Sequence, residues 1–194
     1  MNKGQQTRLH ILKKAFDLSY QKGFQTTSVD DIIHLTTVTK GSFFYHFKNK
    51  EEMGLAMINE IILPGFKTSL IEPLKERGST KEVLYKMIKS ILLEDANFDP
   101  RYGCPAVNII EEMAPINQQF NKAISKLIDE LLSKLVLVIA TGIENNEIDK
   151  DANPKHIANF IMSGYMGVRT LGKLYGTKSY DSYLKELKIY LNTL

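Results

Sequence analysis

Residues 27–53, TSVDDIIHLTTVTKGSFFYHFKNKEEM, contain the start signals of three short helices in close succession. Thr27 with Asp30 three residues later predicts a capping box at the start of the first helix. Thr39 is the predicted N-cap of the second helix, and Asn49 is that of the third. Two short helices joined by a tight turn and followed by a third predict a helix-turn-helix, which places one helix in the DNA major groove.

The second helix of this segment has two faces of different chemistry. Phe43 and Phe47 are four residues apart and lie on the inner face, while the opposite face is polar. Gly41 has no side chain to hold the helix away from a partner, and Lys50 lies at a helix start suited to phosphate. This pattern predicts sequence-specific binding to double-stranded DNA, with Lys40 and Ser42 at base edges. The predicted contact residues are Thr27, Thr39, Lys40, Gly41, Ser42, Phe44, Tyr45, His46 and Lys50.

The segment closely resembles the helix-turn-helix of tetracycline-repressor-type (TetR family) regulators over about the first third of the chain. The resemblance implies a homodimeric bacterial transcription factor, usually a repressor, whose C-terminal domain binds a small molecule that weakens DNA affinity. Thr37 stands where the family commonly has a turn glycine, and Phe44 stands where a DNA-contacting tyrosine is common. The matching residues are Thr27, Asp31, Ile32, Val38–Ser42, Tyr45–Phe47 and Lys50–Glu52.

Composition and charge agree with a soluble DNA-binding protein. Of the 194 residues, 43% are hydrophobic, which is enough for a sizeable core. Residues 1–50 carry a net charge of +5, from eight Lys/Arg and three Asp/Glu, whereas the remainder carries −2. The N-terminus lacks the apolar core of a signal peptide, and the aliphatic run Leu135–Ala140 is too short to span a bilayer. We therefore expect a cytoplasmic protein without a membrane segment.

The rest of the chain has helical periodicity throughout, so we predict an all-α fold of about nine helices. Pro64-Gly65 predicts the end of the helix that starts at Lys50 and sets the expected domain boundary. The expected domains are 1–64, a three-helix DNA-binding domain, and 65–194, a helical ligand-binding and dimerisation domain. Ser79 and Asn153 are predicted N-caps, and the stretch from Asn97 to Gly103 is a predicted loop. Further helices are expected at about 6–22, from 105, and at 116–143, 154–175 and 180–192.

The last two helices have an apolar stripe that allows two explanations. Tyr180, Tyr183, Leu184, Leu187, Tyr190 and Leu191 recur at steps of one, three and four residues, and the helix before them contains Gly164, Gly167 and Gly172. The stripe could pack against the core of its own chain. It could also form a two-fold interface that presents two DNA-reading helices to a pseudo-palindromic site. With the family resemblance we favour a homodimer through helices 154–175 and 180–192.

Cys104 precedes Pro105 at a predicted helix start, where the helix dipole would favour a thiolate. Gly103-Cys104 also resembles a segment of a TetR subgroup that includes electrophile-sensing repressors. The alternatives are a sensor cysteine and a small structural thiol. The unknown effector is expected among the helices after residue 66. The predicted ligand-binding residues are Cys104, Ile109, Met113, Phe120, Met162, Tyr165 and Met166.

Other functions have little support in the sequence. The four histidines show no metal-ligand spacing with one another or with Cys104, so we expect neither a metal site nor a cofactor. No residue is placed to act as a base for a nucleophile, and we do not expect an enzyme. The alternative from another class is a helical dimer that binds a metabolite or protein and does not recognise an operator.

Overall fold

The computed structural model describes residues 2–95 and 98–194, and every regular element in these ranges is helical, which confirms the all-α prediction. Asn97, which begins the predicted 97–103 loop, lies outside the described residues. No helix in the described ranges is both long and apolar enough to cross a membrane. The helices are α1 (Lys3–Lys22), α2 (Val29–Thr36), α3 (Lys40–His46), α4 (Lys50–Met57), α5 (Leu63–Phe66), α6 (Thr80–Leu93), α7 (Pro105–Met113), α8 (Gln118–Glu144), α9 (Pro154–Tyr175) and α10 (Lys178–Thr193).

Side-chain caps fix where these helices begin. The Ser28 hydroxyl accepts the Asp31 backbone N–H at 3.0 Å, and the Asp31 carboxylate accepts the Ser28 N–H at 2.9 Å. The predicted box of Thr27 and Asp30 is therefore wrong by one residue, since both pairs have the spacing of a capping box. The caps at Thr39, Asn49, Ser79 and Asn153 are confirmed, each side chain accepting a backbone N–H.

The chain stays helical past Pro64, where the sequence predicted a break. A π turn at Ile58–Ile62, the single turn α5, a second π turn at Lys67–Ile71 and a 3₁₀ turn at Glu72–Lys75 follow one another directly. In a regular α-helix a proline ring collides with the carbonyl group four residues earlier, and a π turn before the proline changes that register. Five buried side chains of this segment are spaced four residues apart, at Ile58, Ile62, Phe66, Leu70 and Leu74, and Ile71 is buried as well.

Contacts divide the described residues into two compact units. Unit 1 contains the described residues as far as Gly65 together with Pro105–Ser125, and unit 2 contains the described parts of Phe66–Cys104 and Lys126–Leu194. The first division lies next to the expected boundary after residue 64. It differs from the expectation in that α7 and the first turns of α8 belong with the helix-turn-helix.

The packing inside unit 1 explains why the first turns of α8 belong to that unit. The Phe120 ring on α8 lies 5.1 Å from the Phe24 ring, between centroids, and both side chains are buried. Gly54 on α4 lets the two rings approach its backbone, because a Cβ there would lie 2.6 Å from atoms of each ring. Phe120, one of the predicted ligand-binding residues, is thus part of the core of unit 1.

The apolar stripe of α10 packs within unit 2. Gly172 leaves room for the Tyr180 side chain, and a Cβ at Gly164 would lie 2.7 Å from the Tyr183 ring. The Tyr183 hydroxyl donates to the carbonyl oxygen of Ile161 at 3.2 Å. Packing against the chain's own core therefore accounts for most of the stripe and for two of the glycines. The buried residues of α10 are Tyr180, Leu184, Leu187 and Leu191.

Unit 2 also contains a fully buried arginine, which the sequence analysis did not single out. Arg169 on α9 is 0% exposed. Its guanidinium group donates to the Tyr180 hydroxyl at 3.3 Å and to the Gly103 carbonyl oxygen, and lies 5.3 Å from the Phe98 ring centroid. Because buried arginines need such partners, Arg169 holds the turn at Pro100–Tyr102 against α9.

Candidate nucleic-acid interface

Helix α3 has one buried and one exposed face, as the spacing of its aromatic residues predicted. Phe43 and Phe47 are buried, with ring centroids 5.7 Å apart, and the Arg8 guanidinium lies 4.9 Å from the Phe47 ring. On the other face Tyr45 is 84% exposed and Phe44 is 45% exposed. The inner aromatic residues fix α3 in unit 1 and leave the outer side chains accessible to a partner.

The first turn of α3 is small, polar and open. The Thr39 hydroxyl oxygen accepts the Ser42 backbone N–H at 3.1 Å. In the part of the chain that the structure describes, a Cβ added at Gly41 would have only the Thr39 hydroxyl as a neighbour, at 4.0 Å. Lys40 donates to the Asp30 carboxylate at 3.2 Å, but both side chains are at least two-thirds exposed. An exposed ion pair of this kind is weak, so the Lys40 ammonium can exchange it for an acceptor on DNA.

The last turn of α3 is aromatic. The His46 ring is half-buried and lies 5.0 Å from the Tyr45 ring. Phe44 packs edge-on against Phe43 at 5.3 Å. Tyr45 and His46 can donate to phosphate oxygens, whereas Phe44 presents only an apolar ring.

Two of the predicted contact residues already have a protein partner for their polar atoms. Thr27 is 0% exposed, and its hydroxyl donates to the Gly23 carbonyl oxygen at 2.8 Å, so the predicted phosphate contact at Thr27 conflicts with this structure. The Lys50 ammonium donates to the Gln25 carbonyl oxygen at 2.9 Å and lies 4.7 Å from the Phe24 ring centroid. Desolvation by burial lowers the pKa of Lys50. The predicted Lys50 phosphate contact would therefore require this ammonium to leave its internal partner.

Lys50 belongs to a hydrogen-bonded network that the sequence analysis missed. The Glu112 carboxylate on α7 accepts the Gln25 backbone N–H at 2.9 Å, and the Gln25 amide donates to the Glu112 carbonyl oxygen at 3.0 Å. Gln25 lies in the loop that leads from α1 into α2. The network therefore ties α7 to the entrance of the helix-turn-helix, across 87 residues of sequence. No local sequence pattern predicts the contact between Gln25 and Glu112.

The turn between α2 and α3 has the strain expected from a threonine at a glycine position. Thr37 has φ 56° and ψ 16°, a left-handed conformation. A side chain with a branched Cβ is unfavourable there, whereas glycine adopts the conformation without steric cost.

We expect Thr37→Gly to raise the free energy of unfolding by about 1 kcal/mol, because relief of the left-handed conformation exceeds the added entropy of the unfolded chain. Urea denaturation of the purified variant measures this change. Thr177→Gly is the matched control, since Thr177 is exposed with φ −66° and glycine should be destabilising there. Equal effects at both positions would show that residue 37 is not strained.

The predicted ligand-binding residues are divided between the two units. Ile109, Met113 and Phe120 belong to unit 1, whereas Cys104, Met162, Tyr165 and Met166 belong to unit 2. All except Met166 are buried. Three of the seven therefore belong to unit 1 and four to unit 2.

Cys104 is 1% exposed, and the Tyr165 hydroxyl donates to its Sγ at 3.9 Å. Burial raises the pKa of Tyr165 well above its ordinary value, so this hydroxyl keeps its proton. A buried thiol has poor access to electrophiles. Within the described ranges, no group of three or more His, Cys, Asp or Glu side chains is arranged to hold a metal ion.

Comparison with known proteins gives matches over both ends of the chain. The family model described as bacterial regulatory proteins, tetR family, matches residues 11–57, and that described as tetracyclin repressor-like, C-terminal domain, matches residues 82–186. An uncharacterized HTH-type transcriptional regulator from the lacX 3' region of Lactococcus lactis is 32% identical over 139 residues, which is 71% of each protein. The HTH-type transcriptional repressor NemR of Escherichia coli K12 is 24% identical over 169 residues, 87% of this chain and 84% of NemR.

Solved structures show the same fold at low identity. A TetR family regulator from Cytophaga hutchinsonii superposes with a TM-score of 0.89 at 24% identity, covering 100% of this chain and 97% of its own. The reduced form of E. coli NemR superposes with a TM-score of 0.82 at 23% identity, covering 94% and 95%.

Proposed function

Since this chain belongs to the TetR family of bacterial regulatory proteins, DNA-binding transcriptional regulators that act as dimers, we propose that it is a repressor that a small-molecule effector releases from a pseudo-palindromic operator. The observation that carries this proposal is the accessible outer face of α3, with Tyr45 84% exposed above a buried pair of phenylalanines. NemR, which shares the fold, is named a repressor.

Helix α3 would enter the major groove with its first turn against the bases. Lys40 and Ser42 supply a donor cation and a hydroxyl for base edges, and Gly41 allows the helix backbone to approach closely. Tyr45 and His46 would donate to phosphates, as would Thr39. Phe44 lacks the hydroxyl of the tyrosine that is common at this position, but its ring can contact a thymine methyl group.

The dimer would form through an exposed apolar surface on α9. We call Phe160, Leu171, Leu174 and Tyr175 the α9 row. Each is 47–74% exposed, and their spacing places them on one face of the helix. Gly167 lies on this face too, and a Cβ there would meet no atom of the described residues within 4 Å. Contiguous exposed apolar patches mark interaction sites, and a self-complementary patch gives a two-fold dimer.

We expect Lys40→Ala to weaken operator binding by roughly 1–3 kcal/mol and to relax the preference for the operator over unrelated DNA. Operator fragments are first selected from genomic DNA with the wild-type protein, and affinities are then measured at moderate salt. Asp30→Asn is the matched control, because it breaks the ion pair but keeps the lysine. It should bind DNA as tightly as wild type or more tightly.

Two results would contradict this proposal. If Lys40→Ala binds the operator as well as wild type, Lys40 does not read the DNA. If the wild-type protein retains no fragment, the alternative holds: a helical dimer that binds a metabolite or protein without recognising an operator.

The burial of Cys104 favours a non-covalent effector over an electrophile sensor. The same release assay separates the two, with Cys104→Ser beside wild type. A non-covalent effector should release both proteins equally. Release by a thiol-reactive electrophile from wild type, but not from Cys104→Ser, would instead support the redox-responsive alternative.

A further inference from the structure

A small cavity lies inside unit 1, between α1, the first π turn and α7. Its walls include Ser19 and Tyr20 of α1, Ile62 of the π turn, and Asn108 and Ile109 of α7. Its volume is about 10 Å³, which is room for about one water-sized group. It therefore fits only the end of a slim molecule unless a wall moves.

The Ser19 hydroxyl gives this cavity a specific polar point. Ser19 is 5% exposed, and among the described residues no group forms a hydrogen bond with its Oγ. A buried hydroxyl without a partner destabilises the folded state and calls for an explanation. A ligand atom that accepts from or donates to this hydroxyl would satisfy it.

The other walls decide the chemical class of the ligand. Apart from Ser19, Asn108 and the Tyr20 ring, the lining consists of Phe16, Met57, Ile62, Pro105 and Ile109, with no charged side chain. A charged ligand would lose its hydration without gaining a counter-ion. The lining favours a small uncharged molecule with one hydrogen-bonding end and a short apolar part, such as an alcohol or a carbonyl compound.

We propose that this cavity is an effector site inside the DNA-binding unit, an inference that rests on the proposed function. The π turn at Ile58–Ile62 is a wall of non-standard backbone, and such turns recur at functional sites. α7 forms another wall and also carries Glu112, which holds Gln25 before α2. A ligand that wedges α7 away from α1 would pull on this pair and favour a conformation with lower DNA affinity.

The test begins without DNA, with 1-propanol as the probe and propylammonium as its charged counterpart. Methyl NMR spectra are recorded for wild type, Ser19→Ala and the matched control Ser133→Ala, an exposed serine of unit 2. We expect saturable shifts at Ile62 and Ile109 with 1-propanol, little change with propylammonium, and affinity about tenfold weaker in Ser19→Ala. Ser19→Ala should also unfold at higher urea concentration, which shows that the variant is folded.

Several results would overturn this proposal. These are equal affinity of wild type and Ser19→Ala, equal response to the charged probe, or shifts confined to unit 2. In a second arm, 1-propanol should release the operator from wild type at lower concentration than from Ser19→Ala. If wild type binds its operator and the alcohol fails to release it, the effector role is wrong while the proposed function stands. If no operator is found at all, the proposed function itself fails.

Discussion

Arg169→Ala is expected to lower the free energy of unfolding by roughly 3–5 kcal/mol. The substitution removes the donors to the Gly103 carbonyl oxygen and the Tyr180 hydroxyl, both of which Arg169 meets in the interior. It also leaves a cavity the size of a long side chain beside the Phe98 ring. Urea denaturation followed by circular dichroism measures the loss, and the midpoint is expected to fall without a change in slope.

Arg101→Ala is the matched control for this change. Arg101 is 76% exposed and pairs with Asp99, whose pKa it holds below the ordinary value. Because the Arg101 side chain is largely exposed, its removal should change stability little. If Arg169→Ala and Arg101→Ala have the same small effect, the buried guanidinium does not stabilise unit 2. Arg169→Met separates volume from hydrogen bonding, since methionine fills space without donating.

Leu174→Glu is expected to convert the dimer to a monomer and to weaken operator binding by roughly 10²–10⁴-fold. Leu174 is the most exposed member of the α9 row, at 74%. A carboxylate there would be desolvated and would lie near its own symmetry mate in a two-fold interface. Each monomer could then engage only one half-site. Analytical ultracentrifugation and a DNA-binding titration measure the two effects.

Ile116→Glu serves as the control for an added exposed carboxylate. Ile116 is 68% exposed but lies in the turn before α8, away from the α9 row in sequence. The control should remain a dimer. If Leu174→Glu also remains a dimer with unchanged affinity, the interface lies elsewhere on the molecule.

The helix-turn-helix could be predicted because its signals are local. Thr39 and Asn49 cap the helices that follow them, and the four-residue step from Phe43 to Phe47 fixes the buried face of α3. The one-residue error at Thr27 has a simple origin, since Thr27 and Ser28 are each followed three residues later by an aspartate. Ser28 is the cap because Thr27 is buried. That burial depends on the packing of α1 against α2, which the sequence alone does not give.

The residues that sequence reasoning missed depend on partners far along the chain. Arg169 looks like an exposed charge on a helix until Gly103 and Tyr180 are placed beside it. The direction of the Lys50 ammonium depends in the same way on the loop at Gln25. For Ser19, the sequence shows only a small residue on an apolar stripe, and the cavity exists because α7 packs there. Such features require the tertiary structure, because no repeat or spacing encodes them.

The π turns around Pro64 have a consequence for how the following residues are oriented. An α-helix takes 3.6 residues per turn and a π turn takes more than four, so their alternation averages close to four. Ile58, Ile62, Phe66, Leu70 and Leu74 are spaced four residues apart, and all five side chains are buried. Two unequal pitches thus compensate each other, and the buried side chains keep their four-residue spacing along the chain. If either π turn tightened to an α turn, every later side chain would rotate about the helix axis by roughly a quarter turn. A change in the backbone of a π turn would therefore also change the direction in which the following side chains point.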